Sequence, residues 1–457
     1  MDRGGDGCVK IVLISPKGPL YSHRGGIFGK SLRYQPLTLP TLAALIPEDI
    51  FSPLSIEIYD EGVRDVPENL QADLVGMTVI TGNASRAYAL SDSIRARGIP
   101  VVLGGPHPTL IPDEAMKHAD SVCVGYAEDT WPELLRDFSL NKMKSLYVQS
   151  GDFSLMRPMP YPRRDLMSPR HYLTQAVFEA SRSCVHDCDF CVAPSAWGQR
   201  QYKKNIDWII GDIKNVGKKK IMFVDLNLIS DIEYAKELFS ALIPLKVEWF
   251  GLSTVMIAHE PELMELMARS GCKGLLLGLE TLSDESLGDA HKAFNASVDY
   301  VKLVHDLHKL DISIQGCFVF GLDHDTKESF DRAADYAIKL GIDLPRFAIL
   351  TPFPGTPLYR RLESEGRILN RNWELYDGQH VVFQPRNMTP EELLKGHEHA
   401  WKKVYGWRNM AKRLRNAGNF TFLKLSVNLG YRFYAHNLHR FYTCDVPMGM
   451  EKEKRTS

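Results

Sequence analysis

Two successive series of short apolar runs alternate with helical patterns, and this alternation constrains the fold of the 457-residue chain. The first series ends near Phe138, and the second runs from Gln175 to Leu350. Short β-branched runs separated by amphipathic helices are typical of βαβ units, whose strands are parallel. The sequence therefore predicts an α/β protein with two parallel sheets.

The first series predicts a doubly wound, Rossmann-like parallel sheet over residues 1–140, followed by a proline-rich connector over 141–172. Its predicted strands are Val9–Ser15, Leu54–Tyr59, Leu74–Val79, Val101–Leu103 and Ser121–Val124. Helices are expected between them, at Ala84–Arg97 and Asp113–His118.

The second series predicts an open, partial (β/α)6 TIM barrel over residues 173–370, because six units are too few to close an eight-unit barrel. Its predicted strands are Ala176–Ser181, Lys220–Val224, Val247–Leu252, Lys273–Leu279, Ser313–Phe320 and Arg346–Leu350. Helical patterns fill the remaining 371–457, where Thr389 and Pro390 are typical of a helix start.

Net charge, apolar stretches and the number of cysteines limit the classes of protein to which the chain can belong. The net charge of −1 gives no overall bias toward nucleic acid or membranes. No apolar stretch of about 18 residues predicts a transmembrane helix, and the N-terminal apolar run is too short for a signal peptide. Eight cysteines in a chain of this length do not indicate a disulfide framework, so we expect a cytoplasmic protein.

Cys184, Cys188 and Cys191 have the spacing CxxxCxxC and follow the first strand of the second series. Three thiolates can hold three irons of a cubane cluster and leave the fourth iron open for a substrate or cosubstrate. A structural zinc site is the alternative, but it needs a fourth ligand, and His186 is too close to its neighbours in sequence to complete a tetrahedron.

With Phe190 before the third cysteine, this segment resembles the signature of radical S-adenosylmethionine enzymes. The resemblance implies a [4Fe–4S] cluster whose open iron is chelated by the amino and carboxylate groups of S-adenosyl-L-methionine. It also implies that an electron from the reduced cluster cleaves the C5′–S bond, and that the resulting 5′-deoxyadenosyl radical abstracts a substrate hydrogen. We expect flavodoxin or ferredoxin to supply the electron.

The same resemblance implies further cosubstrate contacts at the carboxyl ends of barrel strands, where barrel enzymes carry out their chemistry. Asp225 and Asn227 end the second strand, and Gly278 and Glu280 end the fourth. A helix cap or a surface ion pair is the alternative interpretation of each carboxylate.

Gly104 and Gly105, after the fourth predicted strand, lie in a segment that resembles the cobalamin-binding domain preceding many radical S-adenosylmethionine cores. Paired glycines let the backbone approach a bulky ligand, although a plain turn would also use them. The usual cobalt-binding loop is incomplete, because Tyr21 replaces the aspartate that would orient His23. Cobalamin is therefore an expected cofactor without an assigned protein ligand.

The C-terminal segment from His399 to Thr443 has nine Lys or Arg residues, ten aromatic residues and no acidic residue. It fits a solvated basic helix face, or an amphipathic surface for an anionic membrane or a lipid-like substrate. RNA binding is the least favoured interpretation.

The chain as a whole resembles cobalamin-domain radical enzymes of hopanoid and bacteriochlorophyll biosynthesis, with weaker support from Tyr376–Phe383 and Asn428–Arg432. This implies methylation of a lipid-like or secondary-metabolite substrate, in which one S-adenosylmethionine supplies the radical and a second remethylates cobalamin. Oxidation, cyclisation or rearrangement without cobalamin is the alternative reaction, and a non-catalytic iron–sulfur module is the alternative class. Methylthiolation of tRNA would need a second three-cysteine cluster, and the first domain has only Cys8 and Cys123.

Overall fold

A computed structural model of the protein describes residues 8–18, 34–151, 153–416 and 422–438. Two parallel sheets follow each other along the chain, each with helices, and a helical segment comes last. The predicted α/β class, with a Rossmann-like sheet, a partial barrel and a helical C-terminal region, is confirmed. Tyr21, His23 and Thr443 lie outside the described residues.

The first sheet has the strand order β2-β1-β3-β4-β5-β6, and all of its pairings are parallel. Its strands are β1 (Val9–Ser15), β2 (Leu54–Asp60), β3 (Leu74–Thr78), β4 (Val101–Gly104), β5 (Ser121–Val124) and β6 (Leu146–Val148). Its helices are α1 (Thr38–Ala44), α2 (Ala84–Arg95), α3 (Pro106–Leu110), α4 (Pro112–Ala115) and α5 (Ala127–Ser139). The strand order reverses between β1 and β3, where doubly wound sheets form a ligand-binding crevice.

Both faces of the first sheet are covered, which explains the continuous apolar character of β1. Leu13 packs with Trp131 on one face, and Val12 and Ile14 pack with Tyr88 on the other. Burying each aliphatic side chain stabilises the fold by about 1.5–3 kcal/mol.

All five strands predicted for this sheet are present, each within one residue at either end. The sequence does not predict β6, which pairs with β5 and lies in the segment 141–172 that we expected to be a connector. The first sheet therefore continues past residue 140.

The second sheet has the order β7-β10-β11-β12-β13-β14 with parallel pairings, which is the connectivity of a six-unit partial barrel. Its strands are β7 (Val177–Phe178), β10 (Lys220–Phe223), β11 (Glu248–Ser253), β12 (Cys272–Glu280), β13 (Ser313–Phe320) and β14 (Arg346–Ile349), and β8 (Ser181–Arg182) pairs separately with β9 (Tyr202–Lys203). The helices are α6 (Val192–Trp197), α7 (Ile206–Val216), α8 (Ile232–Leu242), α9 (Pro261–Arg269), α10 (Asp284–Asp289), α11 (Tyr300–Lys309), α12 (Glu328–Leu340) and α13 (Pro357–Ser364).

The first barrel strand is shorter than the predicted Ala176–Ser181 and is interrupted after Phe178. The physical reason is a competing acceptor, because the carboxylate of Asp225 accepts hydrogen bonds from the backbone amides of Ala180 and Ser181. These amides are withdrawn from the sheet, and Ser181 pairs instead with Lys203 in a short antiparallel ribbon.

The C-terminal region contains α14 (Pro390–Val404), α15 (Trp407–Asn416) and α16 (Phe422–His436). The predicted start of α14 is confirmed, since Thr389 and Glu392 form a reciprocal capping box. Gly406 separates the first two of these helices, because α14 ends before it and α15 begins after it.

Part of the basic and aromatic C-terminal segment is core, which corrects the expectation of a continuous surface. Trp401, Tyr405 and Arg413 are buried. The guanidinium of Arg413 donates to the carbonyl oxygens of Ile342 and Asp343. Of the helices in the described ranges, none is long and apolar enough to cross a bilayer.

Candidate active site between the two sheets

A cavity of about 310 Å³ lies where the carboxyl ends of the two sheets meet. The first sheet contributes the ends of β3, β4 and β5, and the second contributes the residues after β7 and β10. The residues that line the cavity include Ile80, Gly104, Gly105, Tyr126, Glu128, Arg182, Ser183, Trp197 and Leu226. The crevice expected of a doubly wound sheet and the mouth of the partial barrel are therefore one space.

Gly104 and Gly105 form part of the cavity wall contributed by the first sheet. Gly105 has φ +104°, and a Cβ atom there would lie 2.7 Å from the carbonyl oxygen of Val79. Only glycine therefore fits this position without displacing the Val79 backbone. Ile80 lies beside the pair with 51% of its surface exposed.

The wall consists of backbone without side chains and of one exposed aliphatic side chain. It therefore fits a large, flat, largely apolar group such as a corrin ring. No histidine from the described part of the chain lines the cavity. The described wall therefore offers cobalt no imidazole ligand, and His23 lies in a range that the structure does not describe.

The three cysteines lie on one loop between β8 and α6, directly beyond the cavity residue Ser183. The Cys191 amide donates to the Cys188 carbonyl oxygen at 3.0 Å, and α6 begins at the next residue. Burial raises the pKa of the Cys188 thiol to about 12 and also raises that of Cys191, and the neighbouring thiolates of the loop add to both shifts. Iron would favour the thiolate forms by direct coordination.

No three His, Cys, Asp or Glu side chains in the described ranges converge closely enough to hold a single metal ion. A cubane cluster needs a different arrangement, because each of its cysteines binds a different iron. The ring of His186, the residue considered as a zinc ligand, stacks on Phe294 with centroids 4.1 Å apart. The loop therefore fits a cluster better than a tetrahedral zinc ion.

Contacts from two other barrel segments fix the cysteine loop at Asp189. The Asp189 amide donates to the Ala290 carbonyl oxygen at 3.3 Å, and the Leu358 amide donates to the Asp189 carbonyl oxygen at 3.1 Å. The Asp189 carboxylate lies 3.4 Å from the Arg361 guanidinium. Phe190, the predicted aromatic of the motif, is half-buried against the barrel core.

Glu280, at the end of β12, forms a buried ion pair with Lys292. Lys292 is 7% exposed. Burial opposes its charge, but Glu280 and the nearby Cys188 and Cys191 thiolates raise its pKa, so its ammonium lies near the cluster loop. A Cβ atom on Gly278 would lie 2.7 Å from the Lys292 Nζ, so glycine makes room for the pair. Glu280 has φ +63°, a strained conformation of the kind that concentrates at functional sites.

Asp225 and Asn227 are both buried, and their side chains bond to backbone. Besides the amides described above, the Ser181 hydroxyl donates to Asp225 at 2.8 Å, and the Asn227 Oδ1 accepts from the Ile229 amide at 3.3 Å. Burial raises the pKa of Asp225 to about 6. Leu226, between them, lines the cavity. Cosubstrate contacts of Asp225 and Asn227 stay predictions.

The two halves of the cavity are joined by side chains that the sequence analysis does not identify. Arg182 forms a buried ion pair with Glu128 of the first domain. Its guanidinium also lies 5.0 Å from the ring centroid of Tyr126 and donates to Glu179 at 2.7 Å. The Arg182 and Lys204 cations overcome the opposing effect of burial and lower the pKa of Glu179 to about 2.

Three family models match the chain. A B12 binding domain matches residues 34–135, the radical SAM superfamily matches residues 178–337, and a domain of unknown function, DUF4070, matches residues 356–455. The first match covers β2 to β5 of the first sheet, and the second covers β10 to β13 of the second sheet.

Among relatives, the bacteriochlorophyllide d C-12(1)-methyltransferase of Chlorobaculum tepidum is 32% identical over 424 residues, which cover 89% of each chain. The hopanoid C-2 methylase of Rhodopseudomonas palustris is 26% identical, over 82% of this chain and 75% of its own. The structure of the radical S-adenosylmethionine methyltransferase TsrM from Kitasatospora setae, with cobalamin and a [4Fe–4S] cluster bound, has the same fold. Its TM-score is 0.66 at 15% identity, over 95% of this chain and 98% of that one.

These findings confirm the predicted cofactors, which are a [4Fe–4S] cluster, S-adenosylmethionine and cobalamin. The non-catalytic alternative does not hold, because the protein is a radical S-adenosylmethionine enzyme. A small-molecule substrate and an external reductant follow from that class. The chain belongs to the family of cobalamin-dependent radical S-adenosylmethionine methyltransferases.

Proposed function

We propose that this enzyme methylates a carbon atom of a tetrapyrrole-like or lipid-like substrate at the cavity between the two sheets. The observation that carries the proposal is the shared cavity wall. Gly105, from the cobalamin-type sheet, and Ser183, next to the first cysteine, line the same space. A methyl donor in the first domain and a radical generated at the cluster could thus meet one substrate.

The reduced cluster would supply the electron that cleaves S-adenosylmethionine, and cobalamin would supply the methyl group. Cys184, Cys188 and Cys191 would hold the cluster. Lys292 would attract the carboxylate of the cosubstrate, because its buried ammonium lies beside the cluster loop. Glu280 would hold Lys292 in place and present a carboxylate to the amino or ribose groups.

The substrate class comes from relatives that act on bacteriochlorophyllide d and on hopanoids. Both substrates are large and hydrophobic. Trp407, Leu429 and Phe433 on α15 and α16 are at least 40% exposed, which supports a peripheral contact with a membrane that carries such a substrate. We further propose a cytoplasmic location and flavodoxin or ferredoxin as the reductant.

The test is anaerobic reconstitution with iron, sulfide and cobalamin, followed by reduction in the presence of S-adenosylmethionine and either bacteriochlorophyllide d or a hopanoid. Methylation predicts corrinoid absorption bands and formation of both 5′-deoxyadenosine and S-adenosylhomocysteine. The C188A variant should form neither 5′-deoxyadenosine nor methylated product. Formation of 5′-deoxyadenosine alone would instead support oxidation, cyclisation or rearrangement.

A further inference from the structure

Glu128 is a buried carboxylate in the cavity wall with only one of its two oxygens satisfied. It lies in the first turn of α5, and its side chain is 2% exposed. One oxygen, Oε1, pairs with Arg182. The other, Oε2, has no hydrogen-bond donor within the described part of the chain. A buried, unsatisfied carboxylate oxygen is costly, so its retention requires an explanation.

Three donors on residues close to Glu128 are committed to other acceptors. The Trp131 indole donates to the Leu42 carbonyl oxygen at 3.1 Å, and the Tyr126 amide donates to the Gln149 side chain at 2.7 Å. The Arg182 Nε donates to Glu179. Oε2 itself is buried, but Glu128 is one of the residues that line the cavity, so a donor from outside the protein would come from there.

The ligand that belongs in this cavity has suitable donors, because the corrin ring of cobalamin carries peripheral carboxamides with N–H groups. We infer that Glu128 accepts a hydrogen bond from one of the longer peripheral carboxamide chains of cobalamin, the b-, d- and e-propionamides, and that its ion pair with Arg182 fixes the corrin relative to the cysteine loop. The inference rests on the proposed placement of cobalamin between the two sheets.

Arg182 suits this linking role because of its position. It ends β8, and Ser183 alone separates it from Cys184. Two carboxylates and the Tyr126 ring hold its guanidinium, so it has little freedom to follow a displaced Glu128. Glu128 is therefore a residue that binds and positions the cofactor.

The test uses cobalamin monocarboxylic acids, in which one peripheral carboxamide is hydrolysed to a carboxylate. Binding of aquacobalamin and of the b-, d- and e-monocarboxylic acids to the cluster-reconstituted, cobalamin-free enzyme is measured by equilibrium dialysis with visible absorbance. One isomer should bind wild type about tenfold or more weakly than cobalamin, because it loses the donor and places a like charge against Glu128.

The E128Q variant should bind that isomer about as well as it binds cobalamin, because the glutamine amide donates to the carboxylate. E133Q is the matched control on the same helix, since the Glu133 side chain is 54% exposed and pairs with Lys144. It should keep the wild-type preference.

Equal binding of cobalamin and all three acids by wild type would overturn the inference without any variant. An unchanged preference in E128Q would overturn the assignment to Glu128 and leave the cobalamin site intact. Failure of wild type to bind cobalamin at all would overturn both the inference and the proposed function.

Discussion

The ring of Tyr126 stacks on the ring of Trp197, with centroids 5.2 Å apart and planes inclined by 10°. Tyr126 follows β5 of the first sheet, whereas Trp197 ends the helix that begins after Cys191. The stack therefore joins the cobalamin-type domain directly to the cluster-bearing segment, and it lies in the wall of the shared cavity.

Replacing Trp197 with leucine should weaken the contact between the two domains while keeping most of the apolar volume of the side chain. The loss of the aromatic pair should lower the free energy of unfolding by about 1 kcal/mol, as measured by chemical denaturation. The amount of 5′-deoxyadenosine formed per methylated product should rise, because cofactor and cluster are less well aligned. Trp407, 60% exposed, provides the control W407L, and an equal effect of both variants would contradict the prediction.

The K292M variant should bind S-adenosylmethionine about tenfold or more weakly, because a buried cation facing the carboxylate is lost. Iron content and cluster absorption should remain near wild type, since Lys292 is not expected to ligate iron. Isothermal titration under anaerobic conditions measures the affinity. K302M, at a side chain 67% exposed on α11, is the control. An unchanged affinity of K292M for S-adenosylmethionine would show that Lys292 is not part of the cosubstrate site.

The G105A variant should lose cobalamin binding and several kcal/mol of stability. Its Cβ would collide with the Val79 backbone, and its φ of +104° is unfavourable for alanine. G98A separates the two effects, because Gly98 has φ +79° but nothing within 4 Å of an added Cβ. That control should cost about 1 kcal/mol and bind cobalamin normally. Thermal unfolding and visible absorbance report the two quantities.

Asp225 predicts a pH dependence of stability. Its pKa is raised by burial from the ordinary 3.8 to about 6, so the folded state binds the proton more tightly than the unfolded state. The wild-type free energy of unfolding should therefore lose about 2 kcal/mol from this group as pH rises from 4 to 6, and this loss should level off near pH 7.

The D225N variant should lack this component, because asparagine does not titrate. The difference between the two unfolding curves at each pH isolates the contribution of Asp225 from those of other groups. A constant difference between pH 4 and 7 would show that the carboxylate is ionised throughout.

Most of the fold and the cluster site follow from local sequence patterns. The three cysteines are recognisable because their spacing lies within a single loop, and β1 because it is a seven-residue run rich in apolar, β-branched residues. The strand β6, with three residues, is too short to show a period. Partners distant in sequence could not be predicted either: Glu128 and Arg182 are separated by 54 positions and meet only because the two sheets meet.

The same limit applies to burial. Lys292 is 12 residues from Glu280, and nothing in its immediate sequence distinguishes it from an exposed lysine. Likewise, Arg413 lies in a run of basic residues that is typical of an exposed surface. In the structure it is buried, and the carbonyl oxygens of Ile342 and Asp343 accept its hydrogen bonds inside the core. Whether such a side chain is buried depends on packing between elements that are distant in sequence. The residues next to it in the sequence do not show this packing.

The backbone contacts at Asp189 couple the cysteine loop to two distant parts of the barrel. The loop is bonded to Ala290, which follows α10, and to Leu358, which lies in α13. Cys188 directly precedes Asp189, and Cys191 follows it by two residues. A displacement of either α10 or α13 would therefore move two of the three cluster ligands together.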